Sequence, residues 1–203
     1  VNQALLPLGR RLAIDSASEA SCTMGGMLAT NASGTRVMKH GYLRQYVQQV
    51  RAVIGTGQVV SLQRHKTNTS ATPTAEDQLA HELHSLIVAH QQLIKTCRPK
   101  TLYNRCGYLL DDLLEGQFIA LQKAMIGSEG TLGLVTEAVI DTVLLPRERA
   151  VLLLGFTSVQ EAAKQAASLF TGGYDAVRKL DDALNFLTAD RIHFFANNIF
   201  NFI

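Results

Sequence analysis

Two runs of very small residues carry the chemistry in this sequence. The first is Cys22 to Gly34, CTMGGMLATNASG, with glycine at 25, 26 and 34 and short polar side chains at Thr23, Thr30, Asn31 and Ser33. The second, far downstream, is Gly127 to Gly133, GSEGTLG. Glycine lets a backbone approach a large flat group and take angles that other residues resist. Hydroxyls, a carboxamide and backbone N–H groups supply donors to phosphate or a polar heterocycle without a lysine. Taken alone, either run reads as a turn between strands. The pair points to one ligand held from two sides. Neither run ends in the lysine–hydroxyl pair of a P-loop, which argues against ATP or GTP.

Composition narrows the class. The 203 residues suffice for one sizeable core or two smaller domains. Hydrophobic content of 47% and charged content of 18% describe a folded globular protein. A net charge of +2 without a lysine–arginine cluster gives no field for nucleic acid. Cys22, Cys97 and Cys106 have no CxxC spacing. They read as reduced cytoplasmic thiols, with neither a disulfide framework nor a metal site. No apolar run reaches the length of a transmembrane segment, and no secretion leader follows Val1.

The elements that must position the two runs are legible in outline. Asn2 to Arg11 suggests a short helix, and Leu12 to Ile14 a brief buried strand leading into Asp15. One helical turn is expected at Met27 to Thr30. Tyr46 to Ile54 and Val59 to Leu62, joined by Gly55-Thr56-Gly57-Gln58, predict a β-hairpin. Thr74 and Asp77 form a capping box for one helix to about Lys95. Its apolar face is Leu79, Leu83, Leu86, Ile87 and Ile94, with His90 at the core margin. Gln117 to Ile126 reads as an amphipathic helix, and Thr131 to Leu145 as β-rich. After Pro146-Arg147-Glu148-Arg149, a strand from Ala150 to Gly155, a helix capped by Ser158 and Glu161 running to Phe170, and a strand at Ala176 to Leu180 suggest a small α+β domain. The closing RIHFFANNIFNFI is apolar with no return strand expected to pair with it.

Three stretches in order, DSASEASCTMGGMLATNASGTR (Asp15–Arg36), NRCGYLLDD (Asn104–Asp112) and GSEGTLGLVTEA (Gly127–Ala138), resemble the FAD-linked oxidases of the vanillyl-alcohol oxidase / p-cresol methylhydroxylase superfamily. The wording is most similar to the branch of D-lactate and D-2-hydroxyglutarate dehydrogenases and the glycolate oxidase flavin subunit. The resemblance implies an α+β fold: the second subdomain of a PCMH-type FAD-binding domain, a mixed or antiparallel sheet with helices, then the start of a ferredoxin-like cap. The expected domains are residues 1–148, FAD-binding with its first subdomain missing, and 149–203, the beginning of the cap.

By the same resemblance, FAD would be lined by Asp15, Ser16, Ser21, Thr23, Gly25 and Gly26, then by Ala29, Thr30, Asn31, Ala32 and Gly34. The opposite lip would be Gly127, Ser128, Glu129, Gly130, Thr131, Leu132 and Gly133, with Val135 near the adenine. Glu129 is expected to hold backbone N–H groups or a ribose hydroxyl. The substrate would be a small D-2-hydroxy acid and the electron acceptor an iron–sulfur region or subunit. The location would be the cytoplasm or the periphery of the inner membrane. No catalytic base is assigned: His40 and His193 qualify by type, but each reads as a surface histidine. Lys100, Arg105 or neither would be the substrate-facing cation. The family's first pyrophosphate loop, its histidine-rich metal motif and its cysteine clusters have no counterpart here. The expectation is therefore a middle segment of a flavoprotein, or a truncated form that needs a partner chain or does not bind FAD alone.

Overall fold

The computed structural model describes residues 1–67, 73–98, 107–145, 150–151, 155–166 and 201–202. Contacts divide the chain into two units, Val1–Leu145 and Pro146–Ile203. The first opens with α1 (Asn2–Leu5), a 3-10 turn over Leu6–Leu8 and β1 (Arg10–Leu12). Next come α2 (Met24–Ala29) and α3 (Val37–His40), then a second 3-10 turn, Leu43–Tyr46. The hairpin strands are β2 (Val47–Ile54) and β3 (Val59–Lys66), and α4 (Ala75–Ala89) and α5 (Gln91–Cys97) follow. Short strands β4 (Leu114–Glu115) and β5 (Phe118–Ala120) precede α6 (Leu121–Met125), β6 (Gly133–Ile140) and β7 (Thr142–Leu144).

The main sheet has the order β4-β5-β3-β2-β6, antiparallel at each neighbouring pair, and β1 pairs with β7 in a second sheet. Helices with antiparallel sheets are the α+β character expected from the sequence. Val47, Val50 and Ala52 are all buried, which strict alternation forbids. The register shift against β6 at Val47/Gln49 resolves this, because the extra residue Gln48 resets which side of β2 faces the core, while the shift at Arg51/Ala52 places its extra residue, Thr136, on β6. Val60 and Leu62 from β3 join them, with Leu28, Leu43, Leu113 and Ile119.

Several expectations need correcting. The single helix to Lys95 is broken at His90 (φ −110°, ψ 14°), and α5 restarts beyond it. His90 is exposed, and so is Leu86 at 52%. The buried stripe runs through Ala80 and Ile87, and Leu86 lies a hundred-degree helical step from Ile87. Gln117 to Ile126 is not one helix. Phe118, Ile119 and Ala120 pair with Lys66, His65 and Arg64, so strand pairing overrides local propensity before α6 begins.

In the second unit, β8 (Ala150–Val151) pairs antiparallel with β9 (Asn201–Phe202), so part of the closing segment does find a return strand. Residues 159–166 are helical. Ser158 Oγ accepts from the Glu161 N–H at 3.2 Å, but the Glu161 carboxylate takes the Thr157 hydroxyl instead of completing the box. The expected strand at 176–180 and the end of that helix lie outside the described residues.

The start of α4 carries a testable acid sensitivity. Asp77 accepts from the Thr74 N–H at 2.8 Å and from His65 Nε2 at 2.8 Å. The Thr74 bond, then that to His65, hold the Asp77 carboxyl below the usual aspartate range. A depressed folded pKa stabilises above the unfolded value and is lost as pH falls through the folded one. Asp77→Asn is expected to lower stability at neutral pH and to flatten its decline below about pH 4. Chemical denaturation at a series of pH values checks this. An acid limb identical to that of the unsubstituted protein rejects it.

Candidate functional site

β1 runs into buried Ala13 and Ile14 and delivers Asp15 to the first glycine-rich run. The Asp15 carbonyl accepts from Thr35 N–H at 3.2 Å. Its Oδ2 accepts from Thr35 Oγ1 at 3.0 Å and pairs with Arg36 Nε at 3.3 Å. Asp15 thus closes the loop on itself, with Gly34 packed directly against it. Ser16 Oγ meets Ser18 Oγ at 2.9 Å, and Ser21 Oγ donates to the Ser18 carbonyl. Thr23 caps α2, its Oγ1 accepting from Gly26 N–H at 3.0 Å. Thr30 closes the same helix by donating from Oγ1 to the Gly26 carbonyl at 2.9 Å.

The two small-residue runs meet. Gly127 N–H donates to the Leu28 carbonyl and Glu129 N–H to the Ala29 carbonyl, each at 3.0 Å. A β-carbon at Gly127 would stand 3.2 Å from Asn31 Cβ, and its φ of +88° also favours glycine. Asn31 and Glu129 both take left-handed angles, +48° and +51°. Asn31 is 1% exposed. Its Oδ1 accepts from Arg44 N–H at 3.0 Å, while its buried Nδ2 has no partner among the described residues. Gly25 and Val135 line one cleft of about 410 Å³ with Met24, Leu28 and Leu12. A β-carbon at Gly25 would meet nothing within 4 Å.

Other candidates also make contacts within the fold. Ala32 and Ser128 are buried. Ala32 N–H donates to the Met27 carbonyl, and Ser128 Oγ to Met125 Sδ at 3.7 Å. Thr131 Oγ1 donates to the Ser128 carbonyl and lies 2.6 Å from Tyr108 Oη. Gly130 turns the chain at φ +81°, and Leu132 is partly exposed beside it. Gly133 abuts the Val53 carbonyl, where β6 joins β2. Glu129 is exposed and its carboxylate holds no backbone N–H among the described residues, which leaves the ribose hydroxyl of the two expected partners.

His40 is not the surface histidine expected. It is half-buried, with Arg11 Nη2 3.5 Å from Nε2 and Tyr46 Oη 3.5 Å from Nδ1. Burial first, then the charges of Arg11, Lys39 and Arg36, lower its pKa, with Asp15 opposing them. His40 is therefore neutral at pH 7. His193, Lys100 and Arg105 lie outside the described residues. The residue that sequence reasoning missed is Arg44, an arginine 4% exposed between buried Leu43 and the first hairpin strand. An isolated arginine in an apolar setting was its one visible signal.

Residues 1–63 match the family described as FAD binding domain. The chain is 29% identical over 175 residues to D-2-hydroxyglutarate dehydrogenase of Pantoea ananatis, covering 82% of this chain and 17% of that protein. It is 28% identical over 142 residues to D-lactate dehydrogenase of Archaeoglobus fulgidus, covering 70% and 22%. A solved alkyldihydroxyacetonephosphate synthase overlays 84% of this chain and 24% of its own, at 20% identity and a TM-score of 0.48. The chain spans about a fifth of the length of the curated relatives it matches. Among the described residues no helix is long and apolar enough to cross a membrane. Residues 1–63 thus match an FAD binding domain, and over most of its length the chain is similar to stretches of D-2-hydroxyglutarate and D-lactate dehydrogenases.

Proposed function

We propose that this chain is part of an FAD-dependent oxidoreductase that converts a small D-2-hydroxy acid to its 2-oxo acid. The observation that carries the reading is the junction of the two small-residue runs through the Leu28 and Ala29 carbonyls. The residues fit the cofactor. An unpartnered buried donor, Asn31 Nδ2, suits an acceptor-rich group, and the open Cα of Gly25 suits a flat one. When bound, the flavin supplies the hydride acceptor for the substrate carbon.

The chain's own part is to hold and orient. Gly25, Gly26, Ala29, Thr30 and Asn31 form one lip, Gly127 to Gly133 the other, and Val135 shares the cleft with Gly25. Asp15 and Gly34 brace the first lip from behind. Residues 1–148 act as the FAD-binding part and 149–203 as the beginning of a cap. An iron–sulfur region or subunit takes the electrons, in the cytoplasm or at the inner membrane periphery.

Titrating the chain with FAD and following flavin fluorescence tests this. Quenching with a shifted absorption band supports it; unchanged fluorescence rejects cofactor binding by this chain. Gly25→Ala sharpens the test. No protein atom stands in the way of the methyl group, so the melting temperature should not fall. FAD affinity is expected to drop about tenfold, because the methyl group intrudes on the ligand. Unchanged affinity would remove Gly25 from the site.

One observation favours a second reading, in which the chain works only with a partner polypeptide. Leu134 (69%), Val139 (55%) and Leu144 (70%) are exposed on β6 and β7. Exposed apolar side chains on strands that follow one another in the chain favour association. A self-associating or insoluble purified chain that binds FAD only after adding the remainder of a relative would support this version.

A further inference from the structure

Arg44 touches each of the three stretches that make up the site. Its backbone N–H donates to Asn31 Oδ1 at 3.0 Å, in the first small-residue run. From the guanidinium, Nη2 donates to the Leu109 carbonyl at 2.8 Å and Nη1 pairs with Asp112 Oδ1 at 2.6 Å, both in the segment after Gly107-Tyr108. Nε donates to the Lys123 carbonyl at 2.9 Å, in the helix that leads into Gly127–Gly133. The Lys123 ammonium itself pairs with Glu115 Oε1 at 2.7 Å and lies 3.9 Å from Asp112 Oδ2. The Arg44 side chain is 5% exposed while Asp112 is 47% exposed, so the two carbonyl bonds, both part-buried, are where directional pairing counts most.

We infer that Arg44 is a positioning residue: its backbone N–H fixes Asn31 in the first small-residue run, and its buried guanidinium sets the register of the helix leading into the second run and of the Leu109–Asp112 segment. The planar fork suits this task, since its N–H groups point in fixed directions within one plane. A lysine ammonium offers a single nitrogen and does not reproduce this fork of separated donors. Leu43, whose N–H donates to the Ala32 carbonyl at 2.9 Å, anchors the turn that carries Arg44. The purpose of this framework rests on the cofactor reading above; its existence does not.

Amide hydrogen exchange on the full chain without FAD separates the two. In Arg44→Lys, exchange at Gly127 and Glu129 is expected to accelerate about tenfold, as their bonds to Leu28 and Ala29 loosen. Amides of the β2–β3 hairpin should keep their protection. Asp112→Asn, which leaves both carbonyl bonds in place, should change Gly127 and Glu129 by less than about threefold. FAD affinity should fall in Arg44→Lys and hold in Asp112→Asn. Unchanged exchange at Gly127 and Glu129 in Arg44→Lys overturns the assignment. Equal loss of hairpin protection also overturns it, because Arg44 would then be an ordinary core residue. An unsubstituted chain that binds no FAD defeats the cofactor reading alone.

Discussion

Gly34→Ala is expected to cost about 3 kcal/mol of folding stability, near the upper end for overpacking. The added β-carbon would stand 2.5 Å from Asp15 Oδ1 and 2.6 Å from the Asp15 carbonyl carbon, and closer still to the carbonyl oxygen. Two of these three atoms are backbone, so no rotamer change relieves the clash. Asp15 cannot retreat freely, because Thr35 and Arg36 hold both its carbonyl and its carboxylate. Urea denaturation of Gly34→Ala beside Gly25→Ala makes the comparison internal, as both add one methyl group to the same run. A Gly34→Ala midpoint equal to that of Gly25→Ala would show that the Asp15 loop is not packed as described.

Asn31→Ala is the second large effect, at about 2–5 kcal/mol. Removing Oδ1 leaves the buried Arg44 N–H without an acceptor, worth about 1–3 kcal/mol. Placing alanine at φ +48° adds about 1–2 kcal/mol that asparagine largely avoids. Asn31→Gly separates the two contributions, since glycine removes the acceptor but accepts the left-handed angle. It should recover about 1–2 kcal/mol of the loss. Both variants remove the unpartnered Nδ2 donor, so both should bind FAD more weakly. If Asn31→Gly binds FAD as tightly as the unsubstituted chain while losing stability, Asn31 supports the fold and does not face the cofactor.

Local patterns made much of the fold readable. The hairpin followed from its alternating apolar residues and the glycine turn, and the start of α4 from Thr74 and Asp77. The observed box has both halves, Asp77 N–H to Thr74 Oγ1 and Thr74 N–H to the Asp77 carboxylate. Long-range pairing was harder to see. Phe118 to Ala120 read as helix because the sequence does not display β3, the neighbour that makes it a strand. The bulges at Gln48 in β2 and Thr136 in β6 were equally hidden, since they arise from the register between the two strands.

The site shows the same division. That the glycine-rich runs should meet could be argued from their composition, but which atoms join them could not. Glu129 drew attention as a carboxylate near a presumed phosphate, whereas its backbone N–H makes the contact. Arg44 went unnoticed because an arginine is ordinarily solvated; the carbonyls of Leu109 and Lys123 and the carboxylate of Asp112 explain its burial.

The paired bonds from Gly127 and Glu129 to Leu28 and Ala29 join positions about a hundred residues apart. Closing so long a loop carries an entropic cost that neither run can meet by itself. During synthesis the early run therefore leaves the ribosome long before its counterpart exists. Competence to take up a cofactor should appear abruptly, once residues beyond Glu129 have emerged and β6 has docked along β2. Nascent chains halted before that point should remain colourless however much FAD surrounds them.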